Sequence, residues 1–319
     1  MTTVSTLHHV RLDAADTRTL ASGAAAAVQQ AAIFRIEGPG AVGCLQGIVS
    51  NDVQKRGPGT ICYGAVLTPK GMIIFDCWLL RDGDTIVLVA DLSVRQTALD
   101  IFRRQLPPRI AKAADLSDSH RWLTVLGATA RQTGIDAGMP ATPGQLTRSA
   151  DEVLLAQAPL TAPFGCCAVG ETAAINELAA TMPAASPGIA AAARIIAGFP
   201  ALGAEIDEKT LPQEVRFDEH AGVSYDKGCY TGQETVARVH FRGHPNRELR
   251  LLVVPDGVTL DTTALEVVHD DKTVGTIRSL VETPQGSFAL APLRREVPLG
   301  AVVSTLGGSA VVGVPPALL

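Results

Sequence analysis

The chain has 319 residues, of which 46% are hydrophobic and 18% charged, and its net charge is −5. That length and balance fit roughly two globular domains with a sizeable core and exclude a disordered chain. The acidic balance leaves no broad basic surface, so no direct nucleic-acid partner is expected. No apolar run reaches the length of a membrane span, and residues 1–20 lack the basic start and apolar centre of a signal peptide. The expectation is a cytoplasmic protein with no membrane partner.

Residues 19–32 are Ala-rich and read as a helix or as a loosely held N-terminal segment. Residues 33–36 read as a short strand, broken by Gly38-Pro39-Gly40. Ala41 to Ile48 reads as a helix with Val42, Leu45 and Ile48 on one face, and Ser50-Asn51-Asp52 ends it. Strands at 61–67, 72–80 and 85–90 are separated by Thr68-Pro69-Lys70-Gly71 and Asp82-Gly83-Asp84, and such short turns imply an antiparallel sheet. Ser93 opens a helix whose apolar face is Val94, Ala98, Ile101 and Phe102, and Pro107-Pro108 closes it. A strand at 122–126, a helix near 128–137, a loop over 138–146 and a strand at 153–155 follow. Residues 170–180 and 189–196 read as helices. Beyond Pro245, apolar strands at 249–254, 265–268, 273–280, 287–290, 301–305 and 310–314 read as a small barrel or sandwich.

The densest chemistry lies in Lys227-Gly228-Cys229-Tyr230-Thr231-Gly232-Gln233-Glu234. Thr231 to Glu234 has the spacing of a capping box, which predicts a helix from about Thr231 through Val236 and Val239, stopped by Gly243-His244-Pro245. Cys229 would then sit just outside a helix N-terminus and near the Lys227 ammonium, both of which favour thiolate. The alternative for Cys229 is a packed, inert thiol. The other five cysteines, Cys44, Cys62, Cys77, Cys166 and Cys167, have no metal-binding spacing and read as structural.

The string KGCYTGQE resembles the signature of the YgfZ family. These are folate-binding proteins linked to iron–sulfur cluster assembly or repair and to tRNA modification, and are relatives of the glycine-cleavage T-protein, an aminomethyltransferase. FRIEGPGAVGCLQGIVSNDV, at 34–53, is similar to the family's N-terminal block, and residues 192–234 are similar to its central block. The resemblance implies an α+β, T-protein-like multi-domain fold with folate in a central opening and a small C-terminal β-barrel domain. The implied division is a folate-binding domain of residues 1–53 with 118–244, an inserted unit of 54–117, and the barrel at 245–319.

The resemblance also implies roles. Cys229 is the reactive or cluster-contacting group and Lys227 favours its thiolate. Glu214, in a Pro-x-Glu segment, matches a carboxylate that accepts two hydrogen bonds from a pteridine edge. Arg216 stands where the family typically has Asn. Tyr230, Gln233, Glu234, Arg238 and Asn51 complete the expected folate contacts, although plain turn chemistry also accounts for Asn51. The implied cofactor is tetrahydrofolate, and the implied partners are folate and iron–sulfur client or scaffold proteins. The T-protein's aspartate, just after the third strand of its sheet segment, pairs with Thr97 here, with Asp91 and Asp100 offset. That departure argues against transferase activity. Folate-dependent aminomethyl transfer and a non-catalytic folate-binding module are the alternatives.

Overall fold

The computed structural model describes residues 7–159, 164–256 and 260–313. In chain order, β1 (His8–Arg11) and α1 (Ala14–Ser22) lead to β2 (Ala25–Gln29), β3 (Ala32–Glu37) and α2 (Ala41–Gln46). Next come β4 (Thr60–Leu67), β5 (Ile73–Asp82), β6 (Thr85–Ala90), α3 (Arg95–Gln105) and β7 (Lys112–Asp115). The middle of the chain holds β8 (His120–Leu126), α4 (Ala130–Asp136), β9 (Leu146–Arg148), β10 (Leu154–Gln157), β11 (Phe164–Glu171), α5 (Thr172–Ala180), α6 (Ile189–Ile196) and α7 (Gln233–Arg242). The last part is β12 (Arg247–Val254), β13 (Glu266–His269), β14 (Lys272–Thr276), β15 (Ser279–Thr283), β16 (Gly286–Arg294), β17 (Val302–Thr305) and β18 (Gly308–Gly313).

Two five-stranded antiparallel sheets, ordered β4-β5-β6-β3-β7 and β2-β8-β11-β10-β9, form the body. They pack on each other through Ile33, Leu80 and Val89 from the first and Trp122, Leu154 and Val169 from the second. The other face of the first sheet is covered by α2 and α3, whose Leu45, Ala98, Ile101 and Phe102 bury against Phe34, Ile36 and Phe75. β5 shows why this chain makes strands: Ile73, Phe75, Cys77 and Leu79 are buried at every second position. On the second sheet, α4 and α5 pack Ala130 and Ile175 against Leu123, Val125 and Leu155.

The C-terminal strands β16-β12-β18-β17-β13-β14 close into a six-stranded barrel through the β14–β16 pairing. Outside it, β15 pairs with β16, and β1 lies parallel to β15 at the edge. A shared core ties the barrel to α6 and β4, with Leu249, Leu251, Val281 and Leu290 against Ile189, Ile196, Tyr63 and Phe217.

Several expectations are corrected. Residues 19–32 are not one helix: α1 ends at Ser22, and β2 and the start of β3 follow. Ala24–Ala27, Ala31 and Ala32 are buried, and β2 and β3 pair with β8 and β6. The expected strand 273–280 is two strands, with β14 and β15 separated at Ile277–Arg278. β11 has no counterpart among the expected strands, and the expected strand 310–314 ends outside the described residues. The first sheet takes in β3 and runs from residue 32 to residue 115.

Candidate ligand-binding site

A cavity of about 400 Å³ opens where the two body sheets meet α6. Its walls are aromatic. Trp78 of β5 stacks on Phe199 with ring planes 5° apart and centroids at 6.2 Å, and lies 6.5 Å from Trp122 of β8. Phe164 of β11 closes on Phe199 at 5.5 Å. The chain has only two tryptophans, and both line this cavity. Parallel apolar walls of this kind fit a flat heteroaromatic ring.

Among the polar groups at the cavity, Asp76, Asp91 and Arg194 are held by hydrogen bonds. Asp76 sits two residues before Trp78 on the same face of β5, half-buried, and accepts a 2.8 Å hydrogen bond from the Tyr63 hydroxyl. Burial pushes its carboxyl up to about 6, against the pull of the Tyr63 hydrogen bond. Asp91 directly follows β6 and also lines the cavity. It caps the 3-10 turn Leu92–Val94 by accepting from the Ser93 amide at 2.9 Å and hydroxyl at 2.5 Å. It therefore occupies the place, just after the third strand, that the sequence pairing gave to Thr97. Arg194 of α6 lines the cavity with its guanidinium fixed to buried Glu205 at 2.7 Å and Ser279 at 2.7 Å.

Among the described residues, none of the stretch 227–234 lines the cavity. The helix starts at Gln233, not Thr231, and the capping box is not made. Gly232 is the N-cap, in the left-handed region at φ 85°, with no side-chain cap hydrogen bond. The physical reason is a close fit against the Thr68–Gly71 turn: a Cβ on Gly232 would lie 2.5 Å from the Thr68 carbonyl oxygen. The stop at Gly243 is as expected.

Lys227 is buried, and its Nζ donates to the carbonyls of Val49 and Asn51, both at 2.7 Å. Its ammonium lies 4.9 Å from the Tyr230 ring centroid. Burial pulls its pKa down to about 8, against the opposing charge of Asp52. The cation expected to serve Cys229 is thus engaged at the end of α2. Cys229 itself is exposed, whereas Cys62, Cys77, Cys166 and Cys167 are buried and Cys44 is intermediate. Burial pushes the Cys62 and Cys166 thiols up to about 11.

Asn51 is buried, and its Nδ2 donates to the carbonyls of Tyr63 and Ala221 at 2.6 Å each. Tyr230 is buried beside Tyr63 and Phe217. Gln233, Glu234 and Arg238 lie on α7, with Glu234 and Arg238 exposed. Glu214 lies apart from all of these, in a separate cleft of about 210 Å³ with Arg247 and Arg278. Its carboxylate accepts from the Leu211 amide at 3.0 Å, and burial raises its pKa while that hydrogen bond and Arg247 oppose. The expected folate contacts are therefore not one constellation. A buried path nevertheless links the 227–234 stretch to the cavity: Lys227 to the Asn51 carbonyl, Asn51 Nδ2 to the Tyr63 carbonyl, and the Tyr63 hydroxyl to Asp76. The sequence signal for the cavity was an aspartate inside an apolar strand, two residues before one of only two tryptophans.

Among the described residues, no group of three or more His, Cys, Asp or Glu is placed to hold a metal ion. No described helix is long and apolar enough to cross a membrane.

Residues 13–134 match the family model of the GCVT N-terminal domain. The chain is 30% identical over 235 residues to the tRNA-modifying protein YgfZ of Shigella sonnei (strain Ss046), covering 69% of each chain. It is also 30% identical, with the same coverage, to the tRNA-modifying protein YgfZ of Escherichia coli O157:H7 (strain EC4115 / EHEC). The glycine cleavage system aminomethyltransferase T from Bartonella henselae superposes with a TM-score of 0.80 at 18% identity, covering 95% of this chain and 88% of that one. The fold is therefore the α+β, T-protein-like one with a closed C-terminal barrel, and the chain belongs to the YgfZ family.

Proposed function

We propose that the protein binds a reduced folate, tetrahydrofolate, in the aromatic cavity between its two body sheets, and that it supports the assembly or repair of iron–sulfur proteins. The observation that carries the first part is the placement of Asp76 at the foot of the stacked Trp78, Trp122 and Phe199 walls. A pteridine is flat and presents adjacent N–H groups on its 2-amino-4-oxo edge. A carboxylate between aromatic walls can accept two of those hydrogen bonds while the rings hold the faces. Asp76 takes the role that the resemblance gave to Glu214, which caps its own turn in another cleft. Asn51 and Tyr230 act from behind, by holding Tyr63 and the loop, rather than by touching the ring. The second part rests on the family resemblance together with the exposure of Cys229.

The binding test is tryptophan fluorescence, since both tryptophans line the cavity. Tetrahydrofolate should quench it saturably in the wild type. No quenching at millimolar ligand would remove the folate reading. The cellular test is deletion followed by rescue with wild type or Cys229→Ala, read as the activity of iron–sulfur enzymes. Equal rescue by both would remove the role of the thiol.

One observation favours a second reading, aminomethyl transfer. Asp91 stands just after the third strand and faces the cavity. A reconstituted glycine-cleavage assay distinguishes the two: methylene-tetrahydrofolate formed at about 1 s⁻¹ or faster, and lost in Asp91→Asn, would establish it.

A further inference from the structure

Strands β14 and β16 of the barrel meet at a single register pair, Gly275 with Leu293. A Cβ on Gly275 would come within 2.6 Å of the Leu293 side chain and of the Pro292 carbonyl, so the backbones touch there. Immediately beyond, β16 changes partner from β14 to β15, whose Ser279 pairs with Leu290. The change of partner leaves a cleft of about 260 Å³, lined by Arg247, Arg278, Arg294, Thr273 and Thr276 and, among the described residues, by no acidic side chain.

Arg247 and Arg294 are direct cross-strand partners on β12 and β16. Like charges placed opposite each other in a sheet repel. Arg278 adds a third cation from the segment between β14 and β15. Among the described residues, the Arg247 and Arg278 side chains make no hydrogen bond and no ion pair. Arg294 has only Glu296, at 3.8 Å on the surface. Arg247 and Arg278 also line the neighbouring cleft, whose carboxyls are Glu205, Asp207 and Glu214. Each is engaged elsewhere: Glu205 with Arg194 and Ser279, Asp207 with the Lys209 amide and the Thr210 hydroxyl, and Glu214 with the Leu211 amide. Three guanidiniums converge on one cleft in a chain whose net charge is −5. Among the described residues, none lines both this cleft and the aromatic cavity.

We propose that this barrel cleft binds a phosphate group. Guanidinium forks match the spacing of phosphate oxygens and can each donate two hydrogen bonds, and the threonine hydroxyls add donors. A carboxylate would bring one negative charge to three cations, whereas a phosphate ester or a run of phosphodiesters brings more. Arg247 and Arg294 are exposed, so the phosphate can belong to a larger molecule. The two sources with this chemistry are a small phosphorylated compound and the backbone of an RNA strand.

The test uses two probes on the full chain at about 50 mM salt, where phosphate contacts are strongest. Pyrophosphate is followed by titration calorimetry, and a labelled RNA hairpin by fluorescence anisotropy. The variants are Arg278→Gln and the double variant Arg247→Gln/Arg294→Gln, with Arg103→Gln on the distant α3 as control. Saturable pyrophosphate binding, weakened tenfold or more in both cleft variants and unchanged in the control, upholds the proposal, provided the thermal midpoints stay together. Hairpin binding that pyrophosphate displaces, with the same dependence on the variants, upholds it and names RNA as the source. Pyrophosphate binding without hairpin binding upholds it and names a small phosphorylated compound. No binding of either probe, or binding that the cleft variants leave unchanged, overturns it.

Discussion

The Lys227 ammonium donates to the Asn51 carbonyl at 2.7 Å, joining the 227–234 stretch to the end of the α2 segment 176 residues away in sequence. A second bond to Val49 makes it a two-pronged clamp. Lys227→Met roughly keeps the length of the side chain and removes both bonds. Hydrogen bonds from charged donors contribute about 1.5–3 kcal/mol each, partly offset here because the ammonium is no longer held out of water, so we expect a loss of about 2 kcal/mol in urea unfolding. The pH dependence has a defined sign. The folded pKa is depressed to about 8 from 10.5, so between those values the unfolded chain holds more protons. Wild-type stability should therefore gain on the Met variant as pH rises from about 8 to 10.5. A constant gap would refute the assignment of the burial penalty to Lys227.

Asp76→Asn keeps an acceptor for the Tyr63 hydroxyl but loses the charge. Tetrahydrofolate affinity should fall about tenfold or more, because a half-made pair to the pteridine edge costs about 1–3 kcal/mol. In the wild type, affinity should also fall as pH drops below about 6, where the carboxylate protonates. Stability runs the other way. The folded pKa is raised above 3.8, so the contribution of this group is present below 3.8 and lost as pH rises through about 6. The Asn variant should lack that slope. Glu214→Ala should leave affinity within about twofold and cost about 1 kcal/mol of stability, from its lost bond to the Leu211 amide. Loss of folate binding in Glu214→Ala with retention in Asp76→Asn would reverse our placement of the pteridine.

Cys229 should be the first thiol alkylated in the native protein, read by peptide mass spectrometry. The four buried cysteines should react only on unfolding, with Cys44 between the two classes. Native modification of Cys62 or Cys77 at the rate of Cys229 would mean that the first sheet opens far more readily than its packing indicates.

Gly232→Ala meets two obstacles, a φ of 85° and a Cβ placed 2.5 Å from the Thr68 carbonyl oxygen. Left-handed strain alone costs about 1–2 kcal/mol, and the contact adds to it. We expect a loss of about 2–4 kcal/mol in urea unfolding. Gly228→Ala, with no atom within 4 Å of the added methyl, should be tolerated and is the matched control.

Much of the fold was legible wherever the signal was local. The α3 face of Ala98, Ile101 and Phe102 is buried as its spacing implies, and the turns at Thr68–Gly71 and Asp82–Gly83 separate real strands. What failed was non-local. Residues 25–29 are alanine-rich, and alanine carries no contrast between a helix face and a strand face, so the β8 partner decides. Thr231 has the right spacing for a cap, but the fit of Gly232 against the β4–β5 turn decides where α7 begins. The site was legible as a motif and not as a cavity. Asp76, Trp78, Trp122 and Phe199 come from three separate stretches, and nothing in any one of them announces the others. Lys227 is close to Cys229 in sequence, yet burial directs it to Val49 and Asn51.

The edge strand β1 has a consequence for how the protein is made. Its partner β15 lies 271 residues further along, as the Arg11–Glu282 pair shows. Synthesis at about 5–20 residues per second separates the two by roughly 15–55 s. During that interval both body sheets can form, while β1 emerges early and stays an unpaired edge until β15 arrives. Pairing of β1 with β15 thus joins two segments far apart in the chain, after the body sheets and before β17 and β18 complete the barrel, and a chain stalled or cut before residue 279 leaves β1 without its partner strand.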